Sequence, residues 1–461
     1  MKINLKFIAS LCALFLCYVA SAQASKKQMP NIIFILADDM GYGDLGCYGQ
    51  QKIMTPNLDA MAKSGIRFTQ YYSGSTVCGP SRCALMTGKH TGHTAIRGNV
   101  DVKGIDGKIY DMPLPEQELT IAELLKKRNY STACIGKWGL GGIGTTGHPN
   151  NQGFDYFYGY LGQANAHWYY PEYIHENSNE IILSKKVYTH DLFENKALDF
   201  IKNNAHQAFF LYLPVTIPHA ELQIPSQYRT MYENSFQPEK PHKGDYSPQE
   251  KPLATFAAMV TRLDATVGKI NKLLAELKIA DNTMVIFSSD NGPHKEGGAN
   301  PQFFNSTGGL RGAKRDLYEG GIRVPMIVKW PKIVKPGIIT HEPSAFWDVL
   351  PTLLDATKID TVIQTDGLSF LPILKQKKQT QKHPFFYWEF YEMGGKQAVI
   401  ADNWKLIKLN ARDSAKAYYE LYNLKDDLAE KNNLIQSEKA KADSLNKWMI
   451  KEHQLNPRFK W

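Results

Sequence analysis

A cysteine at position 78 opens a short segment, CGPSR, whose residue types and spacing suit several kinds of chemistry. Pro80 fits the first turn of a helix, so Cys78 would lie near a helix N-terminus. Free backbone N–H groups favour an anion there, and Arg82, four residues on, lies on the same helix face. On this segment alone, Cys78 can be a nucleophile, half of a disulfide, a metal ligand or a buried apolar residue.

Two pairs of polar residues follow apolar runs that read as buried strands. Asp38 and Asp39 come after the run NIIFIL (31–36), and Asp290 and Asn291 come after the run MVIFSS. Because ligands collect beyond the carboxyl ends of strands in open α/β sheets, these four side chains should meet. Three carboxylates and one amide oxygen suit a hard cation such as calcium or magnesium. Taken singly, each pair is more simply interpreted as ordinary loop and cap residues.

The pattern along the chain predicts an α/β fold that would position these residues. The segments 31–36, 208–215 and 282–292 begin with apolar runs typical of strands buried on both faces. Helical patterns lie between them: a helix opened by Thr55 and Pro56 and closed by Gly65, a capping box of Thr120 with Glu123, and an apolar stripe over 253–279. We expect a large, mostly parallel or mixed sheet sandwiched by helices.

A polar, lysine-rich segment at 375–383 predicts a linker between two parts of the chain. After it, AVIADNWKLIKL and YYELYNL predict short strands, and a final helix is expected near 437–451. We predict a signal peptide over 1–24, a catalytic α/β domain over 25–375 and a smaller C-terminal subdomain over 384–461. The subdomain is expected to be α+β, with a short antiparallel sheet.

The N-terminal residues carry the features of an export signal: two lysines, an apolar run and the small-x-small pattern AQA. The apolar run is too short to span a bilayer and no later stretch is apolar enough, so we expect no stable membrane insertion. The predicted location is exported, either periplasmic or secreted from a bacterium. The formal net charge of +9 suits an anionic substrate or surface, and we expect no nucleic-acid partner.

The number and spacing of the other cysteines argue against a disulfide framework that includes Cys78. Of the six in the chain, Cys12 and Cys17 belong to the export signal, and the rest form no C-x-x-C pair for a metal. In an oxidising compartment, so few cysteines do not build a disulfide framework. The other roles of Cys78 stay open at this point.

The segment CGPSRCALMTG resembles the signature of the formylglycine-dependent sulfatases, a family of the alkaline phosphatase superfamily. That signature is Cys-x-Pro-x-Arg followed by Thr-Gly. Other segments follow in the order of that family's motifs: ADDMGYGDLG, GKWGLG, PHA, SSDNG, LRGAKRDLYEGGIRVP, NWKLI and ELYNL. The resemblance covers about residues 30–434, and it implies a sulfuric ester hydrolase.

The resemblance implies that a maturation enzyme oxidises the thiol carbon of Cys78 to an aldehyde, which gives formylglycine. Hydrated, the aldehyde is a geminal diol: one hydroxyl attacks sulfur, and the other later expels sulfate by re-forming the aldehyde. The family also implies one calcium ion, or magnesium. The matching ligands here are Asp38, Asp39, Asp290, Asn291 and an oxygen of residue 78.

Four further side chains match the family's catalytic motifs. Arg82 would contact the diol or the sulfate, and Lys137 and Lys314 would neutralise sulfate oxygens. His219, directly after Pro218, would donate a proton to the departing alcohol. Without the motifs, an isolated lysine or histidine would be interpreted as a surface or core residue.

The chain departs from the family pattern at Gly139, two residues beyond Lys137. Many members have a histidine there, which is thought to act as a base on the diol. Another residue would then have to supply the base, and His167 is our preferred candidate, with His148 and His294 as alternatives. We also expect His167 and His294 to contact the substrate, although a purely structural role remains an alternative for His167.

Export, positive charge and aromatic clusters suit a sulfated carbohydrate, although most of the aromatic residues are expected to pack in the core. The segments GKWGLGG, GFDYFYGY, AHWYYP and SDNGPHKEGG resemble bacterial exo-acting sulfatases that act on galactose or N-acetylgalactosamine 4-sulfate. Such an enzyme would take part in the degradation of host or algal glycans.

Two alternative functions fit parts of the sequence. One is a phosphoesterase or phosphonate hydrolase of the same superfamily, which would commonly use two transition metals with histidine ligands. Asn291 after Asp290 favours one hard cation instead. The other is a catalytically dead sulfoglycan-binding protein, which only Gly139 supports, since Cys78 and Arg82 are both in place.

Overall fold

The computed structural model describes residues 29–461, and the predicted signal peptide at 1–24 lies outside the described residues. The strands are β1 (Asn31–Ala37), β2 (Ile66–Phe68), β3 (Tyr71–Tyr72), β4 (Asp101–Lys103), β5 (Ile109–Asp111), β6 (Ser131–Lys137), β7 (Tyr156–Tyr160), β8 (Tyr173–Glu176), β9 (Asn179–Ile182), β10 (Phe209–Pro214), β11 (Thr283–Ser289), β12 (Met326–Lys329), β13 (Ile338–Thr340), β14 (Ser344–Ala345), β15 (Phe386–Phe390), β16 (Lys396–Ala401), β17 (Trp404–Leu409) and β18 (Tyr418–Asn423).

The helices alternate with these strands over most of the chain. They are α1 (Pro56–Lys63), α2 (Cys78–Thr87), α3 (Ile121–Lys126), α4 (Gln163–Ala166), α5 (Thr189–Asn204), α6 (Ser226–Arg229), α7 (Pro252–Glu276), α8 (Pro301–Phe304), α9 (Glu319–Ile322), α10 (Val349–Thr357), α11 (Leu371–Leu374) and α12 (Lys439–Glu452). Short 3₁₀ helices lie at Gly46–Tyr48, Pro149–Gln152, Thr230–Tyr232, Ala280–Asn282 and Phe346–Asp348.

A ten-stranded mixed sheet forms the middle of the fold, in the order β13-β2-β12-β11-β1-β10-β6-β7-β8-β9. Its central strands, β11, β1, β10, β6 and β7, are parallel, and antiparallel pairings flank them on both sides. In this register Ile35 of β1 lies beside Leu213 of β10 and Phe287 of β11. The carboxyl ends of the parallel strands therefore meet at one edge of the sheet.

Helices cover both faces of this sheet, which explains why β1 is apolar along its whole length. Ile33 and Ile35 belong to one hydrophobic core, together with residues of α5 and α7. Ile32 and Phe34 belong to the second core, together with residues of α2, α3 and α10. A strand buried on both faces has no need of polar alternation. The predicted sheet sandwiched by helices is confirmed.

A four-stranded antiparallel sheet, β15-β16-β17-β18, forms the C-terminal part of the fold. On one face, Trp388 and Ile407 pack with Tyr72 and Trp347 from the preceding part of the chain. On the other face, α12 packs through residues that include Leu445. The predicted C-terminal α+β unit with a short antiparallel sheet is confirmed, and the boundaries between the domains stay predictions.

Local sequence signals placed several helices correctly. The side chain of Thr120 accepts a hydrogen bond from the backbone N–H of Glu123, and the Glu123 carboxylate accepts one from the backbone N–H of Thr120, which is the predicted capping box. The helix predicted from the stripe over 253–279 is α7, Pro252–Glu276. Within residues 29–461, no helix combines the length and the apolarity needed to cross a membrane.

The fold holds His190 of α5 in its neutral form, which makes stability depend on pH. Burial, and then the positive charge of Arg262, lower the pKa of His190 to about 3, and its Nε2 lies 3.0 Å from Oγ1 of Thr266. Below the unfolded pKa of about 6.5, the unfolded chain takes up a proton that the folded chain does not. We therefore expect this residue to lower the free energy of unfolding by about 2 kcal/mol between about pH 6.5 and about pH 5.

Urea denaturation of the protein and of His190→Asn at both pH values measures this contribution. The variant should lose about 2 kcal/mol less on acidification than the parent chain. Equal losses in the two proteins would contradict the assignment.

Candidate active site

Side chains from separate sequence motifs meet at the carboxyl edge of the parallel strands. Asp38 and Asp39 follow β1, Asp290 and Asn291 follow β11, and Lys137 is the last residue of β6. The backbone N–H of Asp39 donates to Oδ1 of Asp290 at 3.0 Å, which joins the two strand ends directly. This edge is the position at which doubly wound sheets bind ligands.

Cys78 is the first residue of α2, as predicted, and is almost fully buried. Its Sγ lies 3.2 Å from Oδ1 of Asp38 and 4.0 Å from Oδ1 of Asp39. Burial, and then the negative charge of Asp38, raise the pKa of the thiol well above its usual value. An unmodified thiol would therefore stay protonated, and a protonated thiol is a poor nucleophile. The cysteines of residues 29–461 are all unpaired, so no disulfide uses Cys78 within that region.

Three buried cations pair with carboxylates of the site, and each has a different nearest carboxylate. The pairs are Arg82–Asp290 (2.8 Å), Lys137–Asp38 (2.7 Å) and Lys314–Asp39 (2.7 Å). Burial alone would raise the pKa of Asp38, but Lys137 and Arg82 hold it well below its usual range. Positive charge that is fixed in a buried site stabilises anionic oxygens far more strongly than it would in water.

The acidic residues fit a divalent cation. Oδ1 of Asn291 is buried without a hydrogen-bond partner, while its Nδ2 donates to Oδ1 of Asp39 at 2.7 Å. Burial and the nearby charge of Asp38 raise the pKa of Asp290, so the carboxylates destabilise one another here. A hard cation would satisfy the orphaned oxygen and screen this repulsion, held by Asp38, Asp39, Asp290, Asn291 and residue 78. When bound, it adds positive charge for anionic oxygens.

His219 lies beside Lys314 in the loop that follows β10. Its Nδ1 donates to the backbone oxygen of Ala220, and its Nε2 accepts a hydrogen bond from Nζ of Lys314 at 2.8 Å. Burial, and then the charge of Lys314, lower the pKa of His219 well below its usual value. The imidazole is therefore neutral in this state, with its Nε2 turned towards the cation.

The structure adds Glu296 to this group. Its Oε2 lies 3.4 Å from Nζ of Lys314 and 3.8 Å from Nε2 of His219, and its Oε1 lies 2.6 Å from Nη1 of Arg315. Sequence reasoning missed this residue, although it lies in the segment SDNGPHKEGG. Its acidic side chain, a few residues after Asp290, was the available signal.

Two predicted histidines stack near His219. The rings of His167 and His219 have centroids 4.9 Å apart, and those of His294 and His219 are 5.5 Å apart. Burial, and then Lys137, lower the pKa of His167 to about 4. His148 instead caps the short 3₁₀ helix that follows it.

Both ring nitrogens of His294 are engaged with backbone groups. Its Nε2 donates to the oxygen of Pro218 at 2.9 Å, and its Nδ1 accepts from the N–H of Glu296 at 3.1 Å. These contacts fix the segments that carry His219 and Glu296. Contact of His294 and His167 with substrate stays a prediction.

Gly139 adopts a φ of +74°, a conformation that favours glycine over other residues. A Cβ built there would lie 3.3 Å from Cγ of Gln163 and 3.7 Å from Oδ2 of Asp111. Sequence reasoning did not pick out either residue. Neither belongs to a motif with Gly139, and only the folded chain places them beside it.

The fold and the site together define a hydrolase for anionic esters of the alkaline phosphatase type. The family model described as "Sulfatase" matches residues 30–359, and the model described as "N-sulphoglucosamine sulphohydrolase, C-terminal" matches residues 312–455. The chain belongs to the formylglycine-dependent sulfatase family and is a sulfuric ester hydrolase.

Relatives and solved structures agree with this placement. Human N-acetylgalactosamine-6-sulfatase is 33% identical over 400 residues, which is 78% of this chain and 68% of the relative. Human arylsulfatase A is 32% identical and covers 82% of this chain and 74% of its own length. The structure of Ps i-CgsB in complex with k-i-k-neocarrahexaose has a TM-score of 0.79 and 30% identity, covering 93% of this chain and 94% of that chain.

Proposed function

We propose that this protein hydrolyses sulfate esters of carbohydrates, releasing sulfate from the end of a saccharide at O4 of galactose or N-acetylgalactosamine. The observation that carries the carbohydrate class is the likeness to Ps i-CgsB, which was solved with a neocarrahexaose and shares 30% identity across 93% of this chain. The exposed indole of Trp168, next to His167, offers an apolar face of the kind on which sugar rings stack. The proposed location is outside the cytoplasm, in the periplasm or the medium.

A panel of sulfated monosaccharides and oligosaccharides, read by free sulfate, tests this proposal. Turnover should be highest on galactose or N-acetylgalactosamine 4-sulfate, and the 6-sulfates serve as the matched comparison, since one relative is an N-acetylgalactosamine-6-sulfatase. Turnover only on 6-sulfated sugars, or only on phosphate esters, would refute the assignment.

We propose that residue 78 works as formylglycine, made from Cys78 by a maturation enzyme. Its support is the buried position at the start of α2 and a thiol pKa that is raised by burial, which leaves the unmodified cysteine a poor nucleophile. Arg82 would contact the diol or the sulfate, and Lys137 and Lys314 would bind sulfate oxygens.

We propose that the cation is one calcium ion, or magnesium, on Asp38, Asp39, Asp290, Asn291 and residue 78. Removing it should destabilise the fold, because buried carboxylates would then repel one another without screening. At a free metal concentration of about 100 times Kd, binding contributes about 2.7 kcal/mol, so chelation should visibly lower Tm. Elemental analysis should find one calcium or magnesium per chain. Two zinc ions per chain would instead favour a phosphoesterase.

A further inference from the structure

We propose that the Asp111 carboxylate is a proton acceptor of this active site, beside Gly139. The inference rests on the proposed function, because it concerns the proton balance of sulfate-ester hydrolysis. In that reaction R–O–SO₃⁻ and water give R–OH, SO₄²⁻ and H⁺. One proton of water ends on the alcohol, on the side of His219. The second proton of water must go to another group. A carboxylate can accept this proton, which converts COO⁻ to COOH, and can later release it to solvent.

Asp111 is the last residue of β5, and it lies next to the end of β6. Its Oδ2 accepts a hydrogen bond from the backbone N–H of Gln163 at 2.8 Å, and its side chain is buried. Oδ2 is also 3.7 Å from the position of a Cβ on Gly139, two residues after Lys137. The carboxylate therefore lies against the strand end that carries one of the site's cations.

A chain of amide groups connects Asp111 to the residue next to Cys78. Nε2 of Gln163 donates to Oδ1 of Asn99 at 3.0 Å, and the same oxygen accepts from the backbone N–H of Gly79 at 3.1 Å. A Cβ on Gly79 would lie 2.7 Å from this oxygen and 3.1 Å from Nε2 of Gln163. A continuous series of hydrogen bonds therefore runs from Asp111 through Gln163 and Asn99 to the start of α2.

Asp111 differs from the other carboxylates of the site in its charge environment. Each of those lies close to a cation; the pairs are Asp38–Lys137, Asp39–Lys314, Asp290–Arg82 and Glu296–Arg315. Within residues 29–461, Asp111 makes no such ion pair. A carboxylate held by a cation is weakly basic, whereas an unpaired buried carboxylate keeps its affinity for a proton.

The groups around Asp111 bring its pKa close to neutral pH, where a proton acceptor is needed. Burial raises the pKa of Asp111 to about 7, and Asp101, opposite it in the β4–β5 ladder, adds to the rise. Two groups lower the pKa: Gln163, through its backbone N–H and its side chain, and the charge of Lys137. A proton acceptor works best when its pKa is near the working pH.

The first experiment compares Asp111→Asn with Asp101→Asn, which removes the same charge from the exposed residue opposite Asp111 in the ladder. With the metal-loaded, modified enzyme, we expect kcat on a sulfate ester to fall about 100-fold in Asp111→Asn, with KM changed less than about threefold. Asp101→Asn should stay within about twofold of the parent. Asp111→Glu keeps the carboxylate and should retain at least about a tenth of kcat. An Asp111→Asn enzyme with a near-normal kcat would overturn the proposal.

The second experiment does not depend on turnover. Inorganic sulfate binding is measured by calorimetry in Cys78→Ala protein, which carries no modification. As Asp111 ionises between about pH 6 and about pH 8.5, repulsion should weaken sulfate binding about tenfold. Adding Asp111→Asn should remove most of this pH dependence. Adding Asp101→Asn should keep its size and shift its midpoint to a slightly lower pH, because Asp101 adds to the rise of the Asp111 pKa.

The two experiments separate the possible failures. If all three proteins show the same pH dependence, Asp111 does not face the anion, and a lower kcat in Asp111→Asn then reflects structural support, which overturns the proposal. If the parent enzyme hydrolyses no sulfate ester, the proposed function fails, and the binding series alone decides whether Asp111 faces the anion site.

Discussion

Replacing Cys78 with alanine is expected to abolish sulfate-ester hydrolysis, by about 10⁴-fold or more, while the protein stays folded. The loss follows from the position of residue 78, which is buried at the start of α2 among the acidic residues of the site. The other cysteines of residues 29–461 pack in or against the hydrophobic cores, so none of them can take over its chemistry. Alanine removes only the sulfur of the unmodified residue, or the oxygen atoms of the modified one, and keeps the helix, so the fold should tolerate the change. Free sulfate and a thermal melt measure the two effects.

Cys83→Ala is the matched control for this variant. Cys83 is also buried in α2, but it packs in the hydrophobic core against the sheet rather than in the site. Its replacement should cost about 1 kcal/mol of stability and leave kcat within a few-fold of the parent. Peptide mass spectrometry of protein from a host with maturation machinery should show an aldehyde at residue 78 and an unmodified Cys83. Fully active protein with an intact Cys78 thiol would contradict the mechanism.

The sequence predicted most of the fold because the sheet has a simple physical signature. Strands buried on both faces must be apolar throughout, and this made β1, β10 and β11 recognisable. The polar residues that follow such strands lie at one edge whenever the strands are parallel. The strand pattern alone therefore predicts that Asp39 and Asp290 lie close together, and the hydrogen bond between them agrees.

The parts of the site that sequence reasoning missed depend on contacts between distant loops. Asp111, Gln163 and Asn99 meet only because the β4–β5 ladder, α4 and the start of α2 come together in three dimensions. No spacing rule links positions so far apart in the chain. Glu296 lies only a few residues after Asp290, but its place in the site depends on contact with Lys314, which belongs to a different loop.

The base that would act near Gly139 also shows how the prediction from sequence differs from the structure. The sequence favours His167 among the candidate histidines, because it lies beside a run of aromatic residues in the segment QANAHWYYP. The structure places the His167 ring against His219, 4.9 Å between centroids, where the charges of both Lys137 and Lys314 act on it. The space beside Gly139 is instead filled by Gln163 and Asp111. Contact of His167 with the leaving sugar stays a prediction.

Replacing His219 with alanine should slow hydrolysis of sugar sulfates about 10³-fold and that of aryl sulfates less than about tenfold. A sugar alkoxide leaves only when its oxygen is protonated, whereas an aryl oxide is stable enough to leave with little help. In the described state His219 is neutral, because burial and Lys314 lower its pKa well below the usual value. A bound sulfate would offset the charge of Lys314, the second cause, and so raise that pKa towards the range in which the imidazole can donate a proton.

The ratio of the two kcat losses is the informative quantity, since it cancels damage to the fold or to sulfate binding. His167→Ala is the matched control, because its ring stacks on His219 and both residues lie near Lys314. If His167 contacts the sugar, its loss should raise KM for sugar sulfates and leave kcat for aryl sulfates nearly unchanged. Equal losses on both substrate classes in His219→Ala would assign that residue to sulfate binding. If His167→Ala instead lowers kcat for sugar sulfates and not for aryl sulfates, His167 is the acid. His219 would then hold Lys314 in position through their 2.8 Å hydrogen bond.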